Sequence, residues 1–169
     1  VEKGIERLLA PHQILEYLQP PGQLDGGDVR RVGRHCYIGK SRRSNREGIE
    51  QFQAILRHYG YTSSVIPVET VLHLSTGASY IGKNTMVSIP ELAGKLQREK
   101  MEVITVDADE LYAANCFPVN GSLLMPSGFP KLHDILTTKG YNVVPIPMSE
   151  FEKMDGSLTC LSLLFKASA

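Results

Sequence analysis

Cys160 is the residue of this sequence with the most to offer chemically. It stands in MDGSLTCLSLLF, residues 154–165, between a flexible Gly156-Ser157 segment and an apolar run ending at Phe165. Free cysteine usually packs as a small buried hydrophobe. A cysteine presented where a turn becomes a strand is instead placed to act as a thiolate nucleophile. Other short windows carry polar residues of the same two-sided kind. In LDGGDV (24–29), Asp25 and Asp28 bracket two glycines, so the backbone can bend sharply while carboxylates face a cleft, or simply form a hydrophilic turn. In LHLSTGASY (72–80), His73 lies between Leu72 and Leu74, where a core histidine is as natural as a site residue. In KSRRSN (40–45), Arg42 and Arg43 form a solvated basic turn or offer a guanidinium to a substrate carboxylate, a task whose bidentate geometry favours arginine. Cys36 and Cys116, inside strand-like runs, read as core, the latter closing the window AANC (113–116).

These windows share a position in a repeat. YTSSVIPV from Tyr61, MEVITVDA from Met101 and YNVVPIPM from Tyr141 start at a fixed spacing, the signature of repeated supersecondary units. A helix-like stretch precedes each, and two short strand-like runs precede that, so the unit reads strand, strand, helix, strand. VRRVG and CYIG flank Arg34-His35, ASYIG and TMVS flank Lys83-Asn84, and CFPV and SLLM flank Asn120-Gly121, a type I′ hairpin signal. The first helix, SNREGIEQFQAILRHYG, has Ser44 or Asn45 as its cap, an apolar stripe of Ile49, Phe52, Ile55 and Leu56, and Gly60 at its end. PELAGKLQREK and PKLHDILTTKG supply the second and third helices. LTCLSLLF follows where a fourth unit's first strand should begin. LDGGDV, LHLSTGASY, AANC and MDGSLTC open first strands, so they are expected around one axis, in a single α/β domain over residues 1–169.

Eighteen basic residues balance eighteen acidic ones, which favours a small partner over nucleic acid or an anionic membrane. No apolar stretch approaches the ~20 residues of a membrane span, and VEKGIERLLA lacks the pattern of a signal peptide. Three cysteines without a Cys-x-x-Cys pair point to a reducing compartment, the cytoplasm, and to no structural metal. Val1, Ile5, Leu8 and Leu9 open the chain at helical spacing with no methionine or cap before them, so the sequence reads as cut from something longer.

In order and spacing, LDGGDV, GKSRRSNREG, LHLSTGASY, AANC and SEFEKMDGSLTCLSL together resemble dimethylarginine dimethylaminohydrolase and its relatives in the guanidine-modifying, pentein superfamily. The resemblance covers essentially the whole chain and is specific because separate motifs match in order. It implies a pentein-type α/β propeller of strand-strand-helix-strand modules, of which this chain covers about three of five. It implies Cys160 as nucleophile, His73 as acid/base partner and Asp25 as the carboxylate that orients the histidine. Arg43 would bind the substrate's α-carboxylate, Met154 and Asp155 would border the substrate, and Asp28 would play a supporting part in substrate binding. The implied reaction converts a methylated arginine to citrulline and an alkylamine through a covalent thiouronium, without metal or cofactor. Amidino transfer, arginine deimination and a non-catalytic scaffold are the alternatives. Family members are often dimers, so a homodimer is the implied assembly. They also begin with further modules whose acidic segment grips the guanidinium. That segment has no counterpart here, and the expectation is part of a longer enzyme rather than a truncated protein with an incomplete site.

Overall fold

Three successive units each fold a hairpin, a helix and a returning strand. The computed structural model of the chain describes residues 6, 7, 9, 14–96 and 101–162. Of the expected opening helix, Val1, Ile5 and Leu8 lie outside those residues, as do positions 97–100 of the second helix and the end of the final apolar run. The first unit contains β1 (Val29–Val32), β2 (His35–Lys40), α1 (Arg46–His58) and β3 (Thr62–Pro67). The second opens with a single helical turn, α2 (Leu74–Gly77), followed by β4 (Ala78–Tyr80), β5 (Thr85–Ser88), α3 (Pro90–Leu96) and β6 (Glu102–Thr105). The third contains β7 (Phe117–Val119), β8 (Ser122–Pro126), α4 (Pro130–Thr138) and β9 (Val143–Ile146), and a short α5 (Ser149–Glu152) follows it. Each unit forms its own three-stranded sheet, in the orders β1-β2-β3, β4-β5-β6 and β7-β8-β9. The first two strands of each sheet pair antiparallel, and the second and third pair parallel. A hairpin suffices for the former, whereas parallel pairing requires the crossover that each helix provides.

Local chemistry accounts for these elements. Asn120 and Gly121 both adopt positive φ, 48° and 78°, as a type I′ turn demands, and Lys83 and Asn84 do the same at 49° and 54°. In the first unit the turn falls on Gly33-Arg34, with Gly33 at φ 58° and His35 already in β2. The expected Arg34-His35 turn is thus displaced by one residue, because Gly33 takes the left-handed conformation at no steric cost. Asn45, not Ser44, caps α1, accepting the Gly48 N–H at 2.8 Å. At α4, Pro130 occupies the first turn and the buried Glu110 accepts the N–H groups of Lys131 and Leu132 at 2.9 and 2.8 Å.

Ile49 and Leu56 bury the α1 stripe against Cys36 and Ile38 in one apolar cluster. A second cluster joins all three units, from Tyr37 and Ile66 through Met86 and Leu92 to Leu123, Leu132 and Leu136. Each such side chain contributes roughly 1.5–3 kcal/mol when fully buried. β1 runs beside β4 and β4 beside β7, so the first strands are neighbours, as the repeat predicts. Turns at Gly26–Asp28 and Leu111–Ala114 both pack on α2, bringing the ends of separate units to one place. Among the described residues, no helix is long and apolar enough to cross a membrane.

Candidate active site

The glycine pair of LDGGDV builds one wall of the site. Asp25 caps a single 3-10 turn, Gly26–Asp28, accepting the Gly27 N–H at 2.8 Å, and its own N–H donates to Ser44 Oγ at 3.0 Å. A Cβ on Gly27 would stand 2.7 Å from three atoms of the His73 ring. Only a residue without a side chain lets the imidazole lie against this backbone.

Asp28 has no solvent exposure, and its carboxylate accepts the hydroxyls of Ser41 and Ser44, each at 2.6 Å, and the Leu74 N–H at 2.9 Å. Its contacts are internal, and it does not line the cavity that holds Cys160 and His73. It ties the 24–28 turn to the 41–44 loop and to the residue after His73, a buried charge balanced by three donors. Gly39 must be glycine for the same reason, since a Cβ there would fall 2.3 Å from Asp28 Oδ1 and 3.0 Å from Leu74 Cβ. Gly39→Ala is expected to destabilise the protein by ~1–3 kcal/mol or more, read as a lowered thermal midpoint.

His73 precedes α2 with extended backbone and is 7% exposed. Its Nδ1 lies 3.0 Å from Thr76 Oγ1, which leaves Nε2 as the nitrogen available for proton transfer. The expected direct contact with Asp25 is not formed. Asp25 reaches Gly27 and, at 3.5 Å, the guanidinium of Arg43, so it meets the histidine through the Gly27 backbone.

Cys160 occupies a 3-10 turn, Leu158–Leu161, with its N–H donating to Ser157 O at 3.0 Å. The strand expected here is not formed at the cysteine: a turn displays the thiol to solvent, where a strand in an apolar run would have buried it. Cys160 lines a cavity of about 580 Å³ together with Asp25, Gly27, Arg30, His73 and Thr159. Arg30 brings a cation whose Nε is buried without a hydrogen-bond partner among the described residues, and burial holds its pKa below the usual arginine value.

Arg43 lines an adjoining cavity of about 650 Å³ with Asp25, Tyr17 and Leu24. Arg42 and Asp155 face a separate cleft beside Leu72. Met154 is 84% exposed and lines neither cavity that contains Asp25. The structure therefore gathers Cys160, His73 and Asp25 around one cavity, sets Arg43 beside it, places Asp28 behind it and leaves Met154 and Asp155 outside. Sequence reasoning missed Thr76, Arg30 and the serines on Asp28. It also passed over Asn115 in AANC, whose long-range partners give no local signal.

The other thiols are inert by position. Burial raises Cys36 and pushes Cys116 up to about 12. Iodoacetamide at neutral pH is therefore expected to add one carbamidomethyl group to the folded chain, at Cys160, as peptide mapping would show. Modification at Cys36 or Cys116 of the native protein would contradict this burial.

A thiol, an imidazole and a carboxylate from separate modules of the fold line one cavity, and solved structures share this fold. The fold likeness extends to an amidinotransferase from Microseira wollei, at a TM-score of 0.76 and 16% identity, over 94% of this chain and 54% of that one. No family model matches the chain. It is 38% identical to the N(G),N(G)-dimethylarginine dimethylaminohydrolase of Pseudomonas aeruginosa over 98% of its own length and 64% of that protein's. With the enzyme of the same name from Streptomyces coelicolor it shares 30% identity, over 96% of this chain and 61% of that one. A cysteine-to-serine variant of the Pseudomonas enzyme, in complex with citrulline, superimposes at a TM-score of 0.89 with 36% identity, over 97% of this chain and 64% of that one. The chain is thus similar to dimethylarginine dimethylaminohydrolase along nearly all of its own length, while spanning less than two thirds of these relatives' lengths.

Proposed function

We propose that the protein hydrolyses a substituted arginine, releasing citrulline and an alkylamine, through a covalent intermediate on Cys160. The observation that carries this reading is the meeting of Cys160, His73 and Asp25, far apart in sequence, around one cavity. The citrulline complex of the homologous enzyme supports the choice of substrate class.

A guanidinium carbon is stabilised by resonance, so attack on it calls for a strong nucleophile and nearby charge. The Cys160 thiolate adds to that carbon, forming a C–S bond and a tetrahedral adduct. Protonated His73 gives its proton to the departing alkylamine as the C–N bond breaks, leaving a thiouronium. His73, now neutral, takes a proton from water as the oxygen adds to the same carbon; the C–S bond then breaks to return the thiolate, and the remaining hydroxyl proton passes to solvent as the neutral ureido product leaves. The Asp25 carboxylate beside the cavity attracts the cationic substrate. Arg43 holds the substrate's α-carboxylate, and Asp28 acts only through the backbone it fixes. No metal or cofactor takes part in these steps. A homodimer in the cytoplasm belongs to the same reading.

Product analysis of the intact protein tests the proposal. Incubation with N-methylated arginines should release citrulline and the matching amine in equal amounts, with no added acceptor. Product that forms only when an acceptor amine is supplied would point to amidino transfer, and ammonia from unsubstituted arginine to deimination. No turnover of any of these would favour a scaffold.

A further inference from the structure

Asn115 is fully enclosed, with 1% of its surface exposed, and its side chain makes three hydrogen bonds to the two halves of the site. Its amide nitrogen donates to Ser75 O at 2.7 Å, on the helical turn that begins just after His73. The same nitrogen donates to Thr159 Oγ1 at 2.8 Å, and the amide oxygen accepts the Thr159 N–H at 3.1 Å. Thr159 is the residue immediately before Cys160. One side chain thus joins the backbone that carries the histidine to the backbone that carries the thiol.

Asn115 is itself held firmly. It ends the Leu111–Ala114 turn, and the next residue, Cys116, donates its N–H to Ser79 Oγ at 3.0 Å on β4. From the same turn, Tyr112 Oη donates to Gly156 O at 2.7 Å, giving the loop a second grip on the segment that leads to Cys160. An asparagine is the side chain that fits: two N–H donors and a carbonyl acceptor in one plane satisfy a carbonyl, a hydroxyl and an N–H together. Aspartate would set a carboxylate against Ser75 O, and alanine would leave the buried Ser75 carbonyl and the part-buried hydroxyl and N–H of Thr159 without this partner.

We propose that Asn115 is a positioning residue that fixes Cys160 at its working distance from His73, an inference that rests on the nucleophile reading above. The turn bearing Cys160 lies at the surface, and β8 is the strand that packs against it. Without Asn115 the thiol drifts relative to the imidazole, and small misplacements of reacting groups cost about 10²-fold in rate. Substrate affinity suffers little, because Arg43 belongs to a different unit of the fold.

The test uses Asn115→Ala, Thr159→Val and Thr159→Ser in the intact protein. The readouts are kcat and KM on a methylated arginine, and the pH dependence of Cys160 alkylation by iodoacetamide, which needs no substrate. Asn115→Ala should lower kcat about 10²-fold with KM nearly unchanged. Its alkylation profile should differ from that of wild type, because the turn that presents the thiol is no longer held by Asn115. Thr159→Val, which removes one of the two bonds, should lose about tenfold, with no further loss when combined with Asn115→Ala, as expected for groups acting through one contact. Thr159→Ser keeps the hydroxyl and should restore most of the rate. If Asn115→Ala fails to fold, Thr159→Val against Thr159→Ser decides alone. A folded Asn115→Ala or Thr159→Val protein with wild-type kcat and alkylation profile would overturn the proposal, as would equal losses from Thr159→Val and Thr159→Ser. Full turnover in a Cys160→Ser protein would instead remove the nucleophile reading, while the alkylation arm would still report on the clamp.

Discussion

Cys160→Ser is expected to lower kcat by at least ~10⁴-fold while the protein stays folded. The rate falls because a serine hydroxyl is far less ionised than a thiol near neutral pH and no longer supplies an adequate nucleophile for a resonance-stabilised carbon. The fold survives because Cys160 is exposed and its anchoring contact, the N–H to Ser157 O, is made by backbone. Exposed substitutions of this size change stability by about 0.5 kcal/mol or less. Citrulline release and a thermal melt on the same preparation check both halves. A melt unchanged together with activity within tenfold of wild type would remove Cys160 from the chemistry. A large fall in the thermal midpoint would mean that the turn, not the thiol, had been lost.

The second large effect is expected at His73. Proton transfer from a positioned side chain contributes typically 10²–10⁴-fold, and in the proposed mechanism one imidazole serves both the departing amine and the incoming water. His73→Gln removes both transfers and should cost ~10³-fold or more in kcat. It should also abolish the limb of the pH–rate profile that the imidazole contributes, which a purely structural loss would leave in place. Gly27→Ala offers the same conclusion from the other side. Its Cβ would stand 2.7 Å from the ring, closer than any Cβ normally comes, so the imidazole must move. Its kcat should fall with that of His73→Gln even though residue 27 carries no reactive group. Wild-type kcat in Gly27→Ala would mean that the ring position found here is not the working one.

How much of this was legible in the sequence differs by element. The repeat was legible because hairpin turns and helix ends are written locally: Asn120-Gly121 can hardly avoid a type I′ turn, and Gly60 ends a helix wherever the chain goes next. The Gly33-Arg34 turn was missed by one residue because the neighbouring Arg34-His35 was equally polar and only backbone conformation separates them. LTCL was read as a strand because short apolar runs carry no period that distinguishes strand from turn. What decides for a turn is the capture of Thr159 by Asn115, a contact 44 residues away in sequence. Asp28 looked like a second acid in the cleft because spacing cannot say which of two carboxylates points inward. The three donors from Ser41, Ser44 and Leu74 make that choice, and two of them were read as an ordinary basic turn and its helix cap. The resemblance named Cys160, His73 and Asp25, which line one cavity, whereas the contacts that hold them are visible only in three dimensions.

The measurement that bears most directly on the account is the intact mass of the whole protein before and after exposure to a chloroacetamidine-type arginine mimic, with wild type and Cys160→Ser compared. The account predicts one adduct on wild type, mapped to Cys160, none on the variant, and Cys36 and Cys116 untouched in both. An adduct that persists in Cys160→Ser, or a folded wild-type protein that takes none, would contradict the assignment of Cys160 as a nucleophile in a guanidinium site.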